Sequence, residues 1–170
     1  ATHVDGTDIG PKQTLQAAVD VLDTSRRTML YVAPGTYDKG LGSGGGIYSN
    51  RVSISSNKRR IHFIATGGPE KTFIVGASDS TSPAEADGCG TLGLRCVFNY
   101  SEYTGFRGFT FTGGRSSNGA VGGKNYPRYG ALWYADLPGA ITDSIMDAGY
   151  FYDTNFHLND AGVIFHTAAL

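Results

Sequence analysis

Charge is scarce in this 170-residue chain, and neither sign dominates. Lys, Arg, Asp and Glu make up 17% of it, and the formal net charge is -1. Globular domains typically reach a quarter. A nucleic-acid partner would call for a basic excess, so that class is disfavoured. Long apolar runs are missing too: nothing approaches the length of a membrane-spanning helix. No basic-then-apolar leader opens the chain, and Ala1 as first residue fits a leader already removed. Only two cysteines occur, Cys89 and Cys96. They have no x₂ spacing and no nearby His, so zinc is not indicated, and no metal or cofactor is expected. Gly42–Gly46 lacks the Gly-Lys-[Ser/Thr] and following helix of a phosphate loop and reads as a flexible insertion.

What is present points to an all-β protein. The chain has 25 Gly, 10 Tyr and 9 Phe, and apolar residues still make up 40%, too many for a disordered chain. This balance is typical of extracellular β-proteins, so a secreted or cell-surface location is expected. The six residues between Cys89 and Cys96 include two glycines and can close a loop. A disulfide is expected there, and two buried free thiols are the alternative. Asn99-Tyr100-Ser101 matches the N-glycosylation pattern.

One helix is expected near the start. Pro11 can open it, Leu15, Ala18, Val19 and Leu22 form an apolar stripe, and Thr24-Ser25 closes it. After residue 27 the pattern becomes one of short apolar stretches: Met29–Ala33, Val52–Ile54, Ile61–Ala65, Thr72–Val75, Cys96–Phe98, Phe106–Thr112, Ala131–Tyr134, Ala140–Met146 and Val163–Phe165. They are strand-length, and no two-residue hairpin turn separates neighbours. Phe106–Gly113 can be laid on Ile141–Ala148, with Phe106 over Ile141, Phe111 over Met146 and Thr112 over Asp147. Phe63–Gly67 matches the tail of the same template, which sets Thr66 beside Thr112. The interval is about 35 to 45 residues, with surplus length in the Gly- and Ser-rich segments 39–50, 78–95 and 113–128. Stacked coils with loops leaving their edges behave in this way. A helix ahead of the strands suits a cap over the first coil.

Three segments carry a resemblance: Asp5-Gly6-Thr7, Gln13-Thr14-Leu15-Gln16-Ala17-Ala18-Val19 and Tyr31-Val32-Ala33-Pro34-Gly35-Thr36-Tyr37. Together they resemble the opening of pectin-lyase-like β-helix proteins, and Arg60–Gly76 is similar to a coil of pectin methylesterases. The resemblance covers most of residues 5–76. It implies a right-handed parallel β-helix with an N-terminal capping α-helix: one domain over 1–170, with a cap segment at 1–28 and coils at 29–170. The segment ending at Leu170 reads as entry to a further coil, so more coils, or self-association at that end, are expected. The fold hosts lyases, hydrolases, esterases and adhesins, so it does not choose among them. The catalytic Gln of the esterases is missing from Tyr129–Trp133 and Gly149–Thr154, and the calcium-binding Asp clusters and Arg pair of pectate lyases are not recognisable.

Two kinds of site are weighed. Acid–base chemistry on a sugar needs paired carboxylates or a carboxylate with a base. Asp147, Asp153 and His157 are the candidates, each more simply a turn or solvated residue. Asp143 and Asp147 would lie about 13 Å apart along a strand, too far for a retaining pair. His62, inside an apolar strand, reads as a core or turn residue. Carbohydrate contact is the other possibility. Tyr126, Arg128, Trp133, Tyr134, Tyr150 and Tyr152 cluster, and aromatic faces stack on the C–H faces of sugars; the alternative is packing between coils. Arg128 and Lys124 would suit an acidic sugar. The expected partner is a polysaccharide or cell-surface glycan. A lyase, hydrolase or esterase is the expected class if the chain is catalytic, and a non-catalytic, self-stacking structural protein is the alternative.

Overall fold

In the computed structural model the described residues are 2–4, 11–22, 27–43, 49–76, 94–117, 120–121, 124–125, 132–135, 139–147, 150–152 and 163–165. The chain opens with β1 (Thr2–Val4) and α1 (Leu15–Val21), then β2 (Thr28–Val32), β3 (Gly35–Tyr37), β4 (Gly42–Ser43) and β5 (Ser49–Ile54). Next come β6 (Ile61–Ala65), β7 (Thr72–Val75) and β8 (Leu94–Asn99). They are followed by β9 (Thr104–Arg107), β10 (Thr110–Thr112), β11 (Arg115–Ser117), β12 (Ala120–Val121), β13 (Lys124–Asn125) and β14 (Trp133–Ala135). The last are β15 (Gly139–Thr142), β16 (Ile145–Met146), β17 (Tyr150–Tyr152) and β18 (Val163–Phe165).

The fold is all-β and mostly parallel, with one short helix. Three main sheets take strands in rotation. The first holds β2, β6, β9 and β15, the second β3, β7, β10 and β16, and the third β5, β8, β14 and β18. Within each, these strands pair in parallel. Each sheet therefore receives its next strand only after the chain has visited the other two.

Register builds columns of like residues. Leu30 pairs with Phe63, Phe63 with Phe106, and Phe106 with Ile141. The expected superpositions of Phe106 on Ile141 and Phe111 on Met146 are realised. The amide of Asp147 donates to the Phe111 carbonyl, as Thr112 over Asp147 requires. Phe63 differs from expectation. It sits under Phe106, at the head of the template, and Thr112 stacks on Val75 instead of Thr66. The cause is corner length: Thr66–Lys71 separates β6 from β7, whereas only Gly108 and Phe109 separate β9 from β10.

Two of the stretches read as single strands are broken. Gly108, at φ 79°, separates β9 from β10, and Asp143, at φ 49°, separates β15 from β16. The left-handed backbone at each turns the chain from the first sheet into the second.

Helix α1 begins at its N-cap Thr14, whose hydroxyl accepts from the Ala17 amide at 3.1 Å. Leu15, Ala18, Val19 and Leu22 are all buried in the core, as their spacing predicts. Gln16 reaches from α1 to the edge of β5. Its Oε1 accepts from the Ser53 amide at 2.7 Å, and its Nε2 donates to the Ser53 carbonyl at 3.3 Å. One side chain thus satisfies the edge backbone as a neighbouring strand would. Antiparallel β4 covers the rest of that edge, and antiparallel β1 covers β2. At the first corner Tyr37 is buried and its hydroxyl donates to the Ala33 carbonyl at 2.8 Å.

The core lies between the sheets. Phe63 and Phe106 stack with centroids 4.0 Å apart, and Trp133 meets Phe106 edge-on at 5.0 Å.

Candidate functional site

The outer face of the first sheet follows from the alternation in its strands. β2 and β6 both read buried, intermediate, buried, intermediate, buried. Side chains of alternate residues leave opposite faces, so Met29 and Tyr31 point outward from β2, and His62 and Ile64 from β6. Parallel register lines Met29, His62, Gly105 and Ala140 into one column, and Tyr31, Ile64, Arg107 and Thr142 into the next.

Between these columns lies an open trough of about 240 Å³. Met29, His62, Gly105 and Ala140 line its floor, with Arg27 and Arg107 at its sides. Gly105 makes the depression. A Cβ there would stand 3.0 Å from His62 Nδ1, so a larger residue would press on the imidazole and fill the depression. Arg107 Nε donates to Asp143 Oδ2 at 2.8 Å, and both side chains are about two-thirds exposed. Such a solvated pair is worth about 0–1 kcal/mol and opens readily for a ligand. The His62 pKa is held below its ordinary 6.5 by burial and then by the positive charge of Arg27. The face is therefore an apolar floor with cationic sides. No Asp or Glu is among the residues that line it; Asp143 stands beside it, paired with Arg107.

The aromatic cluster is placed differently. Trp133 is fully buried, with Phe106 and Phe111 edge-on to it, and cannot stack on a sugar. Its register partner Val97 is also in the core, so parity turns Trp133 inward. Tyr134 lies on β14, and Tyr150 and Tyr152 lie on β17, which pairs with β11. Tyr126, Arg128, Asp153 and His157 fall outside the described residues. Asp147 is exposed on the second sheet, where its carboxylate accepts from the Thr112 hydroxyl at 3.4 Å, and among the described residues no second carboxylate accompanies it.

One further expectation is corrected. Cys96 is a free, buried cysteine and not half of a disulfide. Its Sγ contacts the Ile74 and Thr112 carbonyls at 3.4 and 3.2 Å, and burial pushes its pKa up to about 12. Cys89 lies outside the described residues. Asn99 is fully buried with Nδ2 donating to the Ser101 carbonyl at 3.1 Å, so the atom that would carry a glycan faces the protein interior.

Local sequence pattern does not mark the trough residues. His62 was expected in the core or a turn, yet its imidazole lines the outer face. The signal was the alternation Ile61, Phe63, Ala65 around it. Arg27, Gly105 and Arg107 had no local signal, because only register brings them together.

Among the described residues no group of His, Cys, Asp and Glu could hold a metal ion, and no helix is long and apolar enough to cross a membrane. In comparisons with known proteins no family model matches the chain, and no curated protein or solved structure matches it.

Proposed function

We propose that this chain forms a secreted right-handed parallel β-helix that binds an acidic polysaccharide on the outer face of its first sheet. The trough carries the reading: an apolar floor of Met29, Gly105 and Ala140 between Arg27 and Arg107, with His62 in the middle. Pyranose rings offer apolar C–H faces, and uronic acids add carboxylates. Guanidinium groups pair with carboxylates through two parallel hydrogen bonds. The rotation of strands among three sheets supports the β-helix, as does the resemblance of residues 5–76 to pectin-lyase-like openings. Binding, not turnover, is what the residues favour, because the trough's lining holds no Asp or Glu to serve as acid or base beside His62.

The test is affinity electrophoresis through gels containing either de-esterified pectin or a neutral glucan at low salt. Retardation by the acidic polymer alone, weakened by Arg107→Ala, is expected. Equal mobility in both gels would sink the reading.

A second reading, a non-catalytic protein that stacks on copies of itself, is favoured by one observation. β15, β16 and β18 each pair with a strand on one side only among the described residues. Ordered filaments in electron microscopy, without acidic-glycan binding, would favour it.

A further inference from the structure

The corner that leads into the first sheet is built from unexpected residues. Arg60 precedes β6 with φ 59°, and Tyr103 precedes β9 with φ 58°. Left-handed backbone suits Gly or Asn and disfavours bulky side chains. On the exit from the same sheet, Gly108 takes such a position with φ 79°. The entry corner therefore keeps two large side chains where the turn alone would prefer small ones.

Register shows what they have in common. Thr28 pairs with Ile61, and His62 pairs with Gly105. Arg27, Arg60 and Tyr103 therefore fall in one column, at steps of about 4.8 Å. Backbone bonds agree: the Thr28 amide donates to the Arg60 carbonyl at 3.0 Å, and the Arg60 amide to the Glu102 carbonyl at 3.2 Å. Arg27 and Arg60 are exposed, and Tyr103 is 62% exposed.

The neighbouring charges do not neutralise this column. Arg59 stands 3.9 Å from the Glu102 carboxylate, and Lys58 Nζ is turned onto the Asp20 and Leu22 carbonyls at the end of α1. No carboxylate pairs with Arg27 or Arg60 among the described residues. Like charges at adjacent steps repel, and the backbone at Arg60 and Tyr103 adds strain. The turn needs the left-handed backbone, but it does not need either large side chain. Strained residues kept with exposed functional groups are typical of ligand clamps.

We propose that Arg27, Arg60 and Tyr103 form a recognition ladder for a carboxylate-bearing polysaccharide whose chain crosses the strands along the stacking direction. Carboxylates of neighbouring sugars meet the two guanidinium groups, and a sugar ring lies on the Tyr103 face. This inference rests on the glycan-binding reading of the same sheet. It adds the direction of the chain and the side chains that read it.

Calorimetric titration of the full chain with an oligogalacturonate at low salt tests it. Arg60→Asn and Tyr103→Asn keep a residue that accepts left-handed backbone, so both should melt no lower than the wild type. Arg60→Asn should lose about tenfold or more in affinity, the scale of one hydrogen bond to a charged group, and Tyr103→Asn about threefold or more through the lost ring contact. Lys71→Ala, an equal charge change at an exposed residue away from the corner, should bind like the wild type. Arg60→Gly should repeat the Arg60→Asn result. Wild-type affinity in Arg60→Asn and Tyr103→Asn, alongside a loss in Arg107→Ala, would overturn the ladder and leave the glycan-binding face standing. No binding by the wild type would overturn both. Unfolding of both Arg60 variants would show that the side chain serves the corner and would also overturn the ladder.

Discussion

Phe63 and Phe106 lie face to face, their ring centroids 4.0 Å apart and their planes 10° from parallel. They are 43 positions apart in the chain but occupy the same place in successive strands of one sheet. Phe106 also meets Phe109, Phe111 and Trp133 edge-on. This ring cluster ties all three sheets together.

Replacing Phe106 by Ala should therefore be severe. Loss of a fully buried aromatic costs about 3–5 kcal/mol through lost burial and the cavity left behind. Urea denaturation should show a lower midpoint with an unchanged slope. A loss below about 1 kcal/mol would contradict the packing described.

The edge of β5 offers a second check. Gln16→Ala removes both bonds to Ser53 and leaves a buried amide and carbonyl without that partner. The expected loss is about 2–3 kcal/mol, the scale of an unsatisfied buried polar group. Hydrogen exchange at the Ser53 amide should accelerate in the variant. An unchanged exchange rate would show that Gln16 does not seal this edge.

Cys96 should be silent in the folded protein. Its thiol is buried and its pKa is pushed up to about 12, so little thiolate exists at neutral pH. In a Cys89→Ala background, a thiol reagent should label nothing natively and Cys96 after denaturation. Rapid native labelling would contradict its burial.

His62 links the trough to pH. Burial and Arg27 hold its pKa below 6.5, so the folded chain favours the neutral imidazole. Its stabilising contribution is fully present above the unfolded-state pKa of about 6.5 and is lost as pH falls through the lower folded-state value. Stability of the wild type should therefore fall, relative to His62→Gln, as the solution is acidified through this window. An acidic ligand favours the imidazolium and should raise the pKa, visible as an upward shift of the His62 ring-proton titration in NMR. A ligand that binds without moving this titration would not be using the trough.

Much of the architecture could be read from local pattern. The stripe Leu15, Ala18, Val19, Leu22 identifies the buried face of α1, because helical periodicity needs no tertiary information. Phe106 could be laid on Ile141 because their two strands have the same length and the same two-residue corner. Phe63 was displaced because its corner is longer, and corner length is a property of the stack, not of the strand. The site was less legible. Arg27, His62 and Arg107 sit on or beside three different strands, and adjacency across a parallel sheet depends on register. The aromatic cluster misled because residue type does not carry orientation. Trp133 shares its parity with Val97 and points inward.

The most direct test of the acidic-glycan face is backbone-amide chemical-shift mapping of the labelled chain titrated with an oligogalacturonate. Shifts should concentrate in residues 27–31, 60–64 and 103–107, three segments distant in sequence and adjacent only in the first sheet. Shifts confined to the second or third sheet, or no shifts at saturating oligosaccharide, would contradict it.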